Sequence, residues 1–311
     1  MKFSIIIPTK DRQDVLIATL LSLAKVDYPV ENYEVIVVDN GSQDQTLQIL
    51  KNVQKKIKNL TFLTENNPGV SFARNTGIKH ARFPHLIFID DDVEVKKTFL
   101  KGYQLAWQAY PECCAIGGKI RPFLPNRQFS KDQKRTIQKQ TWCFSHYDNG
   151  NQDRELHLGE LLFGPNMSFK KMKEINMFDT RLGRKIFDSY CLKAEEYELC
   201  SRLIMQNRKI MYVANPDIEV AHRISVQQFT EAYISSRYYF AGIEHFVMDT
   251  ILQSKFPNYV SFFKAEIMLR MKQFLSLNSW ESIRFFLSRN KWVSIISYFF
   301  NGKYFIAIKE K

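Results

Sequence analysis

Three adjacent aspartates, Asp90-Asp91-Asp92, end the apolar run Leu86–Ile89. Three neighbouring negative charges repel, so holding them together is costly without a cation. Side chains alternate along an extended chain, which puts Asp90 and Asp92 on one face. Two carboxylates on one face suit Mg²⁺ or Mn²⁺, cations that take oxygen ligands and bridge protein to phosphate. The plain alternative is a solvated acidic turn.

Other polar groups fall at comparable places. Asp39 ends a second apolar run, where its carboxylate either accepts an amide N–H from a ligand or caps the next helix. Arg74 and Asn75 lie in GVSFARNTGI, which reads as a helix; an arginine there either contacts diphosphate or decorates the surface. Glu195-Glu196 opens a later helix. Acids are favoured at a helix N-terminus by the macrodipole, and one of them is also suited to serve as a general base on a hydroxyl. His222 follows the strand-like stretch 218–221 and becomes a third metal ligand only if the fold brings it to the aspartates.

The elements that must position these groups are legible in the first 110 residues. Continuous apolar, β-branched runs at 3–8, 34–38, 60–63 and 86–89 read as strands buried on both faces. Helical spacing at 15–26, 45–57 and 70–80 separates them. Such β–α alternation predicts a parallel, doubly wound sheet, whose ligands bind outside the carboxyl ends of the strands. The Pro8-Thr9-Lys10-Asp11, Asp39-Asn40 and Asp90–Asp92 clusters all lie at those ends. Further on, strands are expected at 115–120, 163–169, 210–213 and 218–221, and a helix at 194–206. The polar stretch 123–158 reads as a long excursion; it and 180–193 are expected to be mobile loops that order on binding. Helical patterns dominate beyond 224, at about 226–248, 260–277 and 281–287.

Composition narrows the class. The chain has 311 residues and a formal net charge of +12, but ten Lys or Arg against three Glu fall in 251–311. The part before 251 is only mildly basic, which argues against a nucleic-acid partner. The five cysteines include no CxxC pair, and no apolar stretch approaches a membrane span or a signal-peptide core; a cytoplasmic setting is the expectation. The basic, aromatic tail 251–311 suits either an interfacial helix on anionic membrane, giving a peripheral location, or a helical lid.

Taken in order, Ser4-Ile5-Ile6-Ile7-Pro8-Thr9, Val37-Val38-Asp39-Asn40-Gly41-Ser42, Asn67-Pro68-Gly69 with Ala73-Arg74-Asn75, Asp90–Asp92, Gly164-Pro165-Asn166-Met167-Ser168, Phe178-Asp179 and Glu195-Glu196 resemble family 2 glycosyltransferases over roughly residues 3–222. The resemblance implies the α/β GT-A fold, a Rossmann-like mixed sheet flanked by helices, here with a helical C-terminal extension. It implies a domain at 1–224, with a nucleotide-binding half at 1–110 and an acceptor-binding half at 111–224, followed by the extension 225–311. The implied activity is inverting, metal-dependent transfer of a sugar from a nucleotide sugar, UDP being common in the family, to a hydroxyl on a glycan or lipid-linked acceptor. Pro8, Thr9, Asp11, Asp39, Asn40, Arg74 and Asp91 would face the donor. Asp90, Asp92 and His222 would hold Mg²⁺ or Mn²⁺, and Gly164, Pro165 and Asn166 would line the acceptor pocket.

One departure stands out. The family's usual Glu-Asp reads Glu195-Glu196 here; Glu196 takes the aspartate's place as base, one methylene longer, with Glu195 as rival. The Gln-x-x-Arg-Trp element of processive synthases is missing, so a single addition is expected. A haloacid-dehalogenase-like phosphatase would need Thr or Val where Glu94 stands, and a dehydrogenase a G-x-G-x-x-G after the first strand. A non-catalytic binding protein on the same fold is the alternative favoured by the Glu-Glu departure.

Overall fold

The structure, a computed structural model, describes residues 1–237 apart from 56, 126, 173–176, 188, 189 and 193. The helices expected at 260–277 and 281–287, and the tail 251–311, lie outside the described residues. None of the described helices is long and apolar enough to cross a membrane.

Phe3–Thr9 (β1), Tyr33–Asp39 (β2), Leu60–Thr64 (β3) and His85–Phe88 (β4) pair in parallel in the order β3-β2-β1-β4. Every residue of β1 and β2 is buried, as their uninterrupted branched side chains require. Each such Ile or Val contributes on the order of 1.5–3 kcal/mol. Leu16–Leu23 (α1), Thr46–Gln54 (α2) and Val70–His80 (α3) make the connections. Gly77 lets α3 lie close on β1, since a Cβ there would overlap Ile6. The carboxyl ends of four parallel strands therefore share one rim.

After β4 the chain forms Val93–Glu94 (β5), Phe99–Ala109 (α4), Ala115–Gly117 (β6), Ile120–Phe123 (β7), Lys131–Lys139 (α5), Arg154–Glu155 (β8), Met167–Lys170 (β9), Arg184–Phe187 (β10), Tyr190–Leu192 (β11), Glu195–Met205 (α6), Ile210–Tyr212 (β12) and Val220–Arg223 (β13). The main sheet continues β4-β9-β6-β12-β8. Strand β9 is antiparallel to both β4 and β6, which makes the sheet mixed. Strands β5, β13 and β7 form a small second sheet, and β10 and β11 an antiparallel pair.

Several expected elements come out differently. The strand expected at 115–120 divides at Gly118, where a Cβ would overlap Ile218 and Asn166; β6 stays in the main sheet and β7 leaves for the small one. The strand expected from 163 starts at Met167, because Gly164-Pro165-Asn166 forms a 3-10 turn and proline has no N–H to give a ladder. The helix expected from 226 opens as a 3-10 turn, Val226–Phe229, behind a Ser225–Gln228 capping box; residues 231–237 are helical. The 123–158 excursion is not structureless. Leu124, Ile137, Cys143 and Phe144 pack with Ile224 into a second small core, with Phe229 stacked on Phe144 at 4.7 Å.

Candidate active site

The turn between β4 and β5 carries Asp90, Asp91 and Asp92 onto the rim. Strand β13 pairs antiparallel with β5, setting His222 opposite Val93, and the Arg223 amide donates to the Asp92 carbonyl at 2.8 Å. A residue 130 positions downstream thus meets the aspartates. Asp90, Asp92 and His222 each offer a ligand atom, all within 4.8 Å of one another. His222 Nε2 lies 3.2 Å from Asp92 Oδ1.

Asp91 points away from that cluster and is buried. It accepts from Thr9 Oγ1 at 2.7 Å and pairs with Arg12 Nε at 3.2 Å, while Arg12 also reaches Asp92 at 2.9 Å. Burial, with Asp92 adding like charge, pushes the Asp91 carboxyl up to about 7 against the pull of Arg12. At Asp92 burial also acts upward, but the His222 hydrogen bond and the Arg12 charge outweigh it and hold the carboxyl below its usual range. Arg12 was not singled out by sequence. The available signal was a cation at one strand end opposite acids at another.

Arg74, on α3, is the hub of the other half. Its side chain is 3% exposed, with Nη1 2.8 Å from Glu195 and 3.1 Å from Glu196, and Nη2 3.4 Å from Asp90. Its guanidinium stacks over Phe178 at 5.2 Å. Burial works against its charge, yet the Glu196, Glu195 and Asp90 carboxylates prevail and raise its pKa. Arg74, expected to face the donor, turns its hydrogen-bonding edge to three acids. Asn75 fixes the floor beneath it, donating to the Phe178 carbonyl and accepting from the Phe178 amide, both at 2.8 Å.

Glu195 and Glu196 differ in access. The Glu195 side chain is 4% exposed and that of Glu196 15%, so Glu196 is the one turned toward the rim. Gly164 packs beside it; a Cβ there would overlap both Arg74 and Glu196. Gly164 and Pro165 are buried.

Two asparagines expected at ligands, Asn166 and Asn40, make their hydrogen bonds within the fold. The Asn166 amide donates to the Lys119 and Ile218 carbonyls at 3.0 and 2.8 Å and accepts from Tyr103 at 2.7 Å, so it ties the core. Asn166→Ala would strand those buried groups and is expected to cost at least about 2 kcal/mol. Urea unfolding reads this directly, and an unmoved midpoint would return Asn166 to the pocket. The Asn40 amide donates to the Glu65 and Asn67 carbonyls and accepts from the Gly69 amide at 2.7 Å. It braces the turn before α3, where Gly69 adopts φ 134°, a conformation L residues avoid.

Asp11 is exposed and staples two rim loops, its amide donating to Ser42 Oγ and its carboxylate accepting from the Gln43 amide. Pro8 and Thr9 are buried in β1. Asp39 is different. It is buried, its Oδ2 accepts from the Ser42 amide at 3.2 Å, and its Oδ1 has no partner among the described residues. A buried carboxylate oxygen without a donor is costly unless a ligand supplies one.

Comparison with known proteins places this geometry. The profile of the family described as "Glycosyl transferase family 2" matches residues 4–172. The chain is 39% identical over 102 residues to the poly(ribitol-phosphate) β-N-acetylglucosaminyltransferase TarS of Staphylococcus aureus, covering 32% of this chain and 18% of that relative. The crystal structure of TarS residues 1–349 with UDP-GlcNAc superimposes with a TM-score of 0.54 at 21% identity, over 79% of this chain and 66% of that one. The dolichyl N-acetyl-α-D-glucosaminyl phosphate 3-β-D-2,3-diacetamido-2,3-dideoxy-β-D-glucuronosyltransferase of Methanococcus voltae is 26% identical, over 75% of this chain and 70% of its own length. The mannosyltransferase PcManGT of Pyrobaculum calidifontis, solved with GDP-Man and Mn²⁺, shares the fold with a TM-score of 0.60 at 18% identity, over 88% of this chain and 70% of that one.

Proposed function

The chain belongs to glycosyltransferase family 2, and from that premise we propose that it transfers a single sugar, with inversion, from a nucleotide sugar to an acceptor hydroxyl in a reaction that needs Mg²⁺ or Mn²⁺. The observation that carries this reading is the convergence of Asp90, Asp92 and His222 on the strand rim, with Glu196 joined to Asp90 through Arg74. Two carboxylates and an imidazole fit a hard to borderline divalent cation, with Mn²⁺ tolerating the nitrogen ligand best. When bound, the cation supplies charge neutralisation for the departing diphosphate.

The chain's own residues do the rest. Asp39 Oδ1 takes an N–H of the nucleobase. Glu196 accepts the proton of the acceptor hydroxyl as its oxygen attacks the anomeric carbon, and the sugar–phosphate bond breaks on the opposite face. Gly164 lets Arg74 and Glu196 pack directly against the backbone, which fixes where the Glu196 carboxylate sits. UDP is the preferred nucleotide because the structural relative TarS was solved with UDP-GlcNAc, although the mannosyltransferase relative was solved with GDP-Man. The acceptor hydroxyl lies on a glycan-like polymer or a lipid-linked sugar; one relative is named for poly(ribitol-phosphate) and the other for a dolichyl-phosphate-linked sugar. Residues 1–224 form the transferase domain in this reading and 225–311 an extension, whose tail 251–311 serves either as a lid or as a contact with anionic membrane.

A thermal-shift series with UDP, GDP and their sugars, with and without Mn²⁺, tests the donor site. At 100 times Kd the stabilisation is expected to be about 2.7 kcal/mol, for one nucleotide and only with metal. His222→Ala is expected to remove most of the metal-dependent part while leaving the protein folded. No shift with any nucleotide on folded wild type would sink the proposal.

A further inference from the structure

The polar excursion and the start of the C-terminal extension build a second feature beside Asp92. Their small core holds α5 by Ile137, packed among Leu124, Ile224 and Phe144. Leu124 and Ile224 also wall a cavity of about 450 Å³ that opens beside Asp92 and is lined further by Arg12, Arg127 and Arg223. Residues 127–139 carry five cations, Arg127, Lys131, Lys134, Arg135 and Lys139, against the single acid Asp132. All five are exposed, and among the described residues none is in a salt bridge.

Helical geometry separates the two faces of α5. Relative to Ile137, a rotation of about 100° per residue puts Lys131, Arg135 and Lys139 on the far side and Lys134 on the flank. The nine residues of α5 extend about 13 Å. That adds cations well beyond what two donor phosphates need, and it runs from Arg127, which itself lines the cavity beside Asp92.

We propose that α5 and Arg127 form a docking track for a hydrophilic acceptor that carries several phosphates, such as a phosphodiester-linked polyol chain, leading it past the cavity toward Glu196. The proposal rests on the reading of the chain as a transferase. Guanidinium groups match phosphate oxygens in pairs, and spaced lysines add long-range attraction. A membrane surface suits the track less well. An interfacial helix needs large apolar side chains on its membrane face, and no large hydrophobic residue of α5 is exposed.

The test uses the full chain and three probes: a fluorescent glycerol-phosphate oligomer, a neutral oligosaccharide of similar length, and phosphatidylglycerol vesicles. The oligomer is expected to bind more tightly than the neutral glycan, with affinity falling as salt rises. The triple variant K131A/K134A/R135A is expected to weaken that binding by about tenfold. Its slow Mn²⁺-dependent donor hydrolysis stays within about twofold of wild type, since α5 touches none of the rim acids. Equal binding of oligomer by wild type and triple variant overturns the proposal, as does equal binding of the neutral glycan. Binding of vesicles alone, lost in the triple variant, overturns it in favour of a membrane surface. Donor hydrolysis missing in wild type would count against the transferase mechanism, a result separate from the binding arms.

Discussion

Glu196→Gln is expected to slow sugar transfer by about 10²–10⁴-fold while leaving donor affinity unchanged. Glutamine keeps the shape of the side chain beside Gly164, where no extra atom fits, and it keeps an oxygen for Arg74 Nη1, 3.1 Å away in the wild type. What it loses is the ability to accept a proton from the acceptor hydroxyl. The loss therefore falls on kcat, with donor Kd measured independently by titration of UDP in the presence of Mn²⁺. Glu195→Gln serves as the contrast. Glu195 is the more buried of the pair, with its Oε1 2.8 Å from Arg74, so its substitution should act through the packing of α6 against α3. Near-wild-type turnover in Glu196→Gln, with a large loss in Glu195→Gln, would move the base to Glu195.

The parts of this arrangement that were legible in sequence share a physical property: they depend on local pattern. Strands β1 and β2 are runs of branched apolar residues with both faces buried, and α3 has the expected bounds, Val70–His80. Three aspartates in a row announce themselves by mutual repulsion. The illegible parts depend on distant pairing. Nothing local to Met167–Lys170 says that β9 inserts antiparallel between β4 and β6. His222 meets Asp92 through a two-residue strand, β5, too short for any periodicity to mark.

The same reasoning applies to side chains that the fold itself holds in place. Asn40, Asn166 and Arg74 stand in motifs that a ligand site also uses, and residue type alone does not tell a wall from a contact. Hydrogen-bond capacity does. An asparagine amide has two donors and an oxygen acceptor, and in Asn166 both kinds of group are engaged within the core. Asp39 keeps one oxygen unengaged among the described residues, which separates it from Asn40 and Asn166.

Arg74→Met is expected to lower stability by about 3–5 kcal/mol, the usual range for removing one partner of a buried ion pair. The arginine pairs with three carboxylates at once: the nearly buried Glu195, the more accessible Glu196 and Asp90. Methionine fills similar volume and still packs on Phe178, so the loss would be electrostatic and not a cavity effect. Arg74→Lys keeps the charge, but an ammonium is a single point of donation and cannot span Glu195 and Asp90 as the guanidinium fork does. Its cost should fall between wild type and Arg74→Met. The decisive comparison is Arg74→Met combined with Glu195→Gln. If Arg74 chiefly restrains the acids, neutralising its most buried partner recovers part of the stability lost, read as a urea midpoint without donor. If Arg74 instead acts by gripping diphosphate, the midpoint of Arg74→Met stays at the wild-type value, donor affinity falls, and the second substitution rescues nothing. The burial of Arg74 favours the first outcome, because a guanidinium walled in by three acids and an aromatic ring has its positive charge already balanced before any donor arrives.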